Sequence, residues 1–256
     1  MLLKLDKLCC GYNKKSIVED VSVTMAEGEL WCILGANGIG KSTLFKTILG
    51  LLNPVSGEVF YRDKLLKNWK QKDLAKIVSY VPQSHTPPFP FRVFEVVLMG
   101  RYPYQNILGK TTVSDARKVN EALKLLKIEH LTDRVYTQIS GGERQLVLLA
   151  RAIVQETPIL VLDEPVSNLD FGNHAKVIKH ICQLVEMGKT VIMTTHYPDH
   201  AFLEQSNVLL IQNKNKVVVG RGKDIINEKC IHDVYGVDSK ILIDKDNDYK
   251  TCIPIY

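Results

Sequence analysis

GANGIGKST, residues 35 to 43, lies between an apolar run, ELWCILG (29 to 35), and a stretch of helical character, KSTLFKTILG (41 to 50), that ends on a glycine suited to a helix C-cap. The nine residues fit G-x-x-x-x-G-K-[ST]. Glycines let successive backbone N–H groups turn inward around phosphates, and the helix N-terminus adds partial positive charge. Lys41 reaches the terminal phosphates and Ser42 offers its hydroxyl to Mg²⁺. Strand, glycine loop, lysine and helix in this order predict one turn of a wound α/β core.

Three more runs of strand length, IVSYVPQ (77 to 83), PILVLDEP (158 to 165) and TVIMTTH (190 to 196), are almost wholly apolar, as strands of a helix-covered parallel sheet are. VSDARKVNEALKLLKI (113 to 128), with Val119, Leu123 and Leu126 at helical spacing, and NHAKVIKHICQLVEMG (173 to 188) predict helices between them. LLKLDKL (2 to 8), IVEDVSVTM (17 to 25) and GEVFYRDKLL (57 to 66) alternate or are β-branched, as edge or antiparallel strands are. NVLLIQNKNKVVVG (207 to 220) predicts a hairpin turning near Asn213 to Asn215. A helix over 223 to 233 and a last hairpin in KILIDKDNDYKTCIPIY close the chain.

Composition narrows the function classes. A length of 256 residues with 45% hydrophobic content supports one large α/β domain, and a net charge of +5 from scattered Lys and Arg reads as a solvated surface rather than a nucleic-acid footprint. The start MLLKLDKLCCGY lacks the parts of a secretion signal, and no uncharged apolar run approaches the roughly 20 residues that span a bilayer. Cys9, Cys10, Cys32, Cys182, Cys230 and Cys252 show no C-x-x-C pairing, which argues for plain thiols in a reducing compartment. DKDNDYKTCIPI (244 to 255) begins like a calcium loop, but Tyr249 takes the glycine position and Ile255 the bidentate glutamate position, so a polar hairpin turn is expected.

Two carboxylates end the run PILVLDEP. Asp163 suits a magnesium ligand, acting through water or Ser42, and Glu164 suits the orientation or deprotonation of an attacking water. A base-reading N-K-x-D is missing, since NKNK (213 to 216) lacks the aspartate, which sets GTPases aside. In ISGGERQ (139 to 145), Ser140 and Glu143 form a capping box, and Leu146, Leu149, Ala150 and Ile153 then share one face up to Pro158. Read alone, that is either a capped core helix or a second grip for phosphate.

GANGIGKST, Gln83 of YVPQ, ISGGERQ, ILVLDEPVSNLD and TTH with His196 together resemble the ATP-binding subunits of ABC transporters, in that family's order and over nearly the whole chain. The resemblance implies an α/β P-loop NTPase fold: a RecA-like core with a mixed, mainly parallel sheet, an antiparallel β subdomain, and a helical subdomain near 84 to 157 that carries the signature motif. Residues from about 221 onward would form a C-terminal helix and hairpin. Carried over by position, it assigns Gly35, Asn37, Gly38, Gly40, Lys41, Ser42 and Thr43 to ATP and Tyr12 to stacking on adenine. Gln83 would contact Mg²⁺ and the attacking water, Asp163 the metal, Ser167 to Asp170 form the D-loop, and His196 would touch the γ-phosphate and fix Glu164. Ile139 and Val166 depart from the commoner leucine and threonine without removing a charge needed for chemistry.

In that family two copies pack head to tail, so Ser140, Gly141 and Gly142 of one chain would complete the ATP site of the other, and Asp170 of the D-loop is also assigned to ATP. The implied enzyme is a transport ATPase at the cytoplasmic face of the cell membrane. It would be held there by integral permease subunits and served indirectly by a substrate-binding protein. The segment SHTPPFPFRVFEVVLMGRYPY, with Phe89, Phe91 and Phe94, is the expected docking surface. VLMGRYPY with NILGK, TTHYPDHA and DVYGVD are similar to importers of metal chelates or oxyanions: siderophore-iron, haem, cobalamin or molybdate. A soluble ABC ATPase acting in assembly is the alternative class.

Overall fold

The computed structural model describes residues 1–83, 89–105, 111–244 and 249–255. These fall into two units, Met1–Trp69 with Thr190–Tyr256, and Lys70–Lys189. The first unit opens with the antiparallel strands β1 (Leu3–Tyr12) and β2 (Lys15–Met25), whose turn places Asn13 and Lys14 at positive φ. Strand β3 (Leu30–Leu34) is buried at all five positions and leads through the glycine loop into helix α1 (Lys41–Ile48). Strands β4 (Ser56–Tyr61) and β5 (Lys64–Leu65) join β1 and β2 in the order β2-β1-β4-β5. Alternation in β2 sends Val21, Val23 and Met25 inward, so this sheet has one apolar face, as its sequence pattern requires.

The second unit holds helix α2 (Gln71–Leu74), strand β6 (Val78–Val81), helices α3 (Val93–Leu98), α4 (Val113–Leu125) and α5 (Gly141–Ile153), strand β7 (Ile159–Leu162) and helix α6 (Phe171–Glu186). Strands β6 and β7 pair in parallel, Val78 opposite Ile159 through Val81 opposite Leu162. Helix α4 starts at Thr112, whose hydroxyl accepts the Asp115 N–H at 3.1 Å. Its apolar positions Val119, Ala122 and Leu123 are buried with Val93, Val96 and Val97 of α3 and Leu146 to Ala150 of α5.

A charged cluster sits inside this helical packing. Arg101, 5% exposed, donates from Nε to Asp115 at 2.9 Å and from Nη1 to Glu156 at 2.8 Å and to the Val154 carbonyl at 2.9 Å, while Lys118 also pairs with Glu156. The guanidinium lies 4.0 Å from the ring centre of Tyr104. Asp115's carboxyl is held below its ordinary value of 3.8, first by the Thr112 hydroxyl and then by Arg101. Its share of stability is therefore present above pH 3.8 and lost as pH falls through the lower native value. Arg101→Met strands Asp115 in a buried place, so we expect a loss of about 3 kcal/mol, which a thermal melt reads as a Tm lower by roughly 6–12 °C. A shift under 2 °C would show that the cluster is incidental.

The chain then returns to the first unit. Strands β8 (Thr190–Thr194) and β9 (Asn207–Asn213) flank β3 in parallel, and β10 (Lys216–Arg221) pairs antiparallel with β9. The sheets are thus mixed and mainly parallel in the core, with antiparallel strands beside them. The hairpin expected over 207 to 220 forms, its turn fixed by Asn215 N–H donating to the Asn213 side chain at 3.0 Å. The single helix expected over 223 to 233 is two, α7 (Gly222–Ile225) and α8 (Glu228–Tyr235). Asn227 breaks it, because its side chain accepts the Cys230 N–H at 2.9 Å and caps a new helix. Strands β11 (Ser239–Asp244) and β12 (Tyr249–Pro254) make the last hairpin, tied down where Cys252 N–H donates to Asp199 at 2.6 Å. The 245–248 part of the calcium-like stretch, NILGK at 106–110 and the prolines at 87–88 lie outside the described residues.

Candidate functional site

In the first unit the glycine loop takes the shape its sequence implies. Gly38 and Gly40 have φ of 74° and 114°, a left-handed region open to glycine and strained for other residues. A Cβ on Gly40 would lie 2.6 Å from Val18 Cγ2, so β2 also demands glycine there. Gly40 is the N-cap of α1, with no side-chain cap and no acid in the first turn. Such a helix start leaves its first N–H donors for an external anion. Lys41 is buried and its Nζ donates to the carbonyls of Gly35 at 2.8 Å and Ala36 at 3.1 Å, which holds the ammonium over the loop. Asn37 and Ser42 are exposed, and Thr43 is buried. Tyr12, 44% exposed, ends β1 in the hairpin whose second strand abuts Gly40.

Also in the first unit, His196 is half-buried just beyond β8. Its turn is held by residues the sequence did not single out. The Thr195 hydroxyl accepts the Tyr197 N–H at 3.1 Å and pairs with His200 Nδ1 at 2.7 Å, and Cys32 of β3 reaches the His200 carbonyl at 3.3 Å. No local pattern announces a Thr–His pair five residues apart.

The second unit gathers the other candidates. Asp163 and Glu164 follow β7 directly, and Asp163 N–H donates to the Val81 carbonyl at 2.9 Å, extending the pairing with β6. Gln83 donates to Glu164 Oε2 at 2.6 Å, so the two residues implied to share the attacking water are in contact. Tyr80, three residues before Gln83, donates to Asp163 at 3.3 Å. Its hydroxyl is pushed up to about 12 by burial and by the neighbouring Asp163 charge, so it stays a donor. Glu164 has φ of 48°, and its carbonyl accepts from both the Ser167 hydroxyl at 3.0 Å and the Ser167 N–H at 3.1 Å. These two bonds close a tight turn from Glu164 to Ser167 directly after β7.

The capping box of ISGGERQ forms. Ser140 Oγ accepts the Glu143 N–H at 3.3 Å and Ser140 N–H donates to Glu143 at 2.8 Å, which holds the Glu143 carboxyl below its usual range. Gly141 is exposed with nothing within 4 Å of where a Cβ would stand, while Gly142 is buried. Asp170 caps α6, accepting the Asn173 N–H at 2.8 Å.

These residues suit ATP and Mg²⁺ chemically. Glycine-permitted turns and uncapped helix amides match phosphate, and a hydroxyl, a carboxylate and an amide oxygen are the hard ligands Mg²⁺ takes. Among the described residues no three His, Cys, Asp or Glu gather around one point. A metal held largely by substrate phosphates needs no such cluster.

Comparison with known proteins follows the same lines. The family described as ABC transporter matches residues 18–167. An uncharacterised ABC transporter ATP-binding protein of Haemophilus influenzae is 38% identical over 94% of this chain and 92% of its own. The ferric enterobactin transport ATP-binding protein of Escherichia coli is 30% identical over 94% and 90%. A solved structure described as a metal-chelate type ABC transporter in an inward-facing conformation superposes with a TM-score of 0.88 at 28% identity, covering 100% of this chain and 98% of that one.

Proposed function

This chain belongs to the ABC transporter family, as an ATP-binding ATPase coupled to transport, and from that premise we propose that it powers import of a metal chelate, ferric siderophores being the favoured class. The observation that supports this most is the likeness to ferric enterobactin and metal-chelate systems over nearly the full length of both chains. Membrane passage then belongs to separate permease subunits, since among the described residues no helix is long and apolar enough to cross a membrane. The chain would sit on the cytoplasmic side against those subunits. Of the proposed docking segment, residues 89–104 are described; there Phe89 is 64% exposed and edge-on to Phe91 at 6.0 Å between ring centres, while Phe91 and Phe94 are half-buried.

Mg²⁺, when bound, neutralises phosphate charge and polarises the γ-phosphoryl group. Ser42, Asp163 and Gln83 are the side chains we assign to hold it. Gly35, Asn37, Gly38, Gly40, Lys41 and Thr43 hold the phosphates, and Tyr12 stacks on adenine. Glu164 takes the proton of the attacking water at its carboxylate, with Gln83 fixing the side chain and His196 steadying the γ-phosphate. Two copies then share two sites, each closed by Ser140, Gly141, Gly142 and Asp170 of the opposite copy.

Gentle extraction at native abundance tests the transport reading. Integral membrane proteins should copurify, and in reconstituted vesicles a ferric siderophore presented with its binding protein should raise ATPase activity several-fold. Recovery of a soluble protein with no membrane companion would move it to the assembly-factor class.

A further inference from the structure

We propose that Asn173 is a positioning residue that locks the buried glycine of ISGGERQ and the capping aspartate of the D-loop into one frame, so that both meet the partner's nucleotide together. The proposal rests on the shared-site reading above.

The two glycines of the motif differ. Gly141 has open space where a side chain would stand. A Cβ on Gly142 would lie 2.7 Å from both Cγ and Nδ2 of Asn173 and 3.1 Å from its Cβ. That asparagine is no free end able to swing aside. Its Nδ2 donates to Asp170 Oδ2 at 2.6 Å and its backbone N–H to Asp170 Oδ1 at 2.8 Å. Asp170 is in turn the N-cap of the 16-residue helix α6. On the other side, Gly142 is the second residue of α5, whose start is fixed by the reciprocal bonds of Ser140 and Glu143. Two helix N-termini, each with its own cap, therefore abut through one amide side chain, and any shift of the D-loop cap is passed to the Gly142 backbone. A glycine at 142 is required by this contact whatever the nucleotide needs.

The test is a double-mutant cycle in the Glu164→Gln background, reading the ATP concentration that half-forms the dimer by size and, separately, binding of a fluorescent ATP analogue by the monomer. Asn173→Ala should raise the half-point about 5- to 10-fold with analogue affinity unchanged, since the P-loop is untouched. Gly142→Ala should raise the half-point by about 100-fold or more, and adding Asn173→Ala should lower it again by about tenfold, because the Cγ and Nδ2 at 2.7 Å are removed and only the Cβ at 3.1 Å remains. Gly141→Ala should gain nothing from the same change. Thermal melts of the single and double variants follow the clash without reference to ATP. An Asn173→Ala half-point equal to the parent's, or a double variant no better than Gly142→Ala, overturns the lock alone. Failure of the Glu164→Gln parent to dimerise with ATP overturns the shared-site reading, and the lock with it.

Discussion

Glu164→Gln leaves ATP binding intact and lowers hydrolysis by about 10²- to 10⁴-fold, the range a positioned general base supplies. The substitution keeps the side chain's size and keeps a partner for Gln83, whose amide now donates to Glu164 Oε2 at 2.6 Å. What it removes is a carboxylate that accepts the water's proton. Trapped before hydrolysis, ATP should hold two copies together, and the dimer should appear by size only when ATP is present and should fall apart when ATP is washed out. Steady turnover near the wild-type rate in this variant would remove Glu164 as the base and shift attention to His196.

Lys41→Ala and Ser140→Arg each abolish activity alone, yet their mixture regains it. Lys41 is buried over the loop carbonyls of Gly35 and Ala36, so its loss takes away both the phosphate's cation and a brace of the loop. Ser140 caps α5, and an arginine there places bulk at the start of the motif that would close on the opposite copy. A heterodimer of the two has one site with both lesions and one with neither. With equal mixing and independent sites, about a quarter of wild-type activity should return. Confirmed pairing without any return would mean each copy completes its own site.

Much of this was legible because its chemistry is local. The glycine loop, the capping box at Ser140 and Glu143, and the hairpin at Asn213 to Asn215 are each decided within a few residues, and each forms as expected. Sequence could not reveal the Arg101 cluster. In MGRYPY the arginine reads as surface, and its partners Asp115 and Glu156 lie 14 and 55 residues away. Tyr80 is similar: in IVSYVPQ it looks like one more strand residue, and only the pairing of β6 with β7 brings it to Asp163, 83 residues on. Asn227 shows the reverse failure. Its cap is local, yet the stretch 223 to 233 reads as one helix when the Asn227 side chain is not counted as a cap.

The backbone at Glu164 carries a cost of its own. A φ of 48° is uncommon outside glycine, asparagine and aspartate, and holding such a residue there costs on the order of 1–3 kcal/mol. Ser167's two bonds to the Glu164 carbonyl maintain that geometry. Glycine at 164 would relax the main chain while deleting the base. A directed-evolution campaign that rewards heat resistance alone would thus drift toward a sturdier chain that has forgotten how to turn over, and only a selection scored on hydrolysis keeps the acid in place.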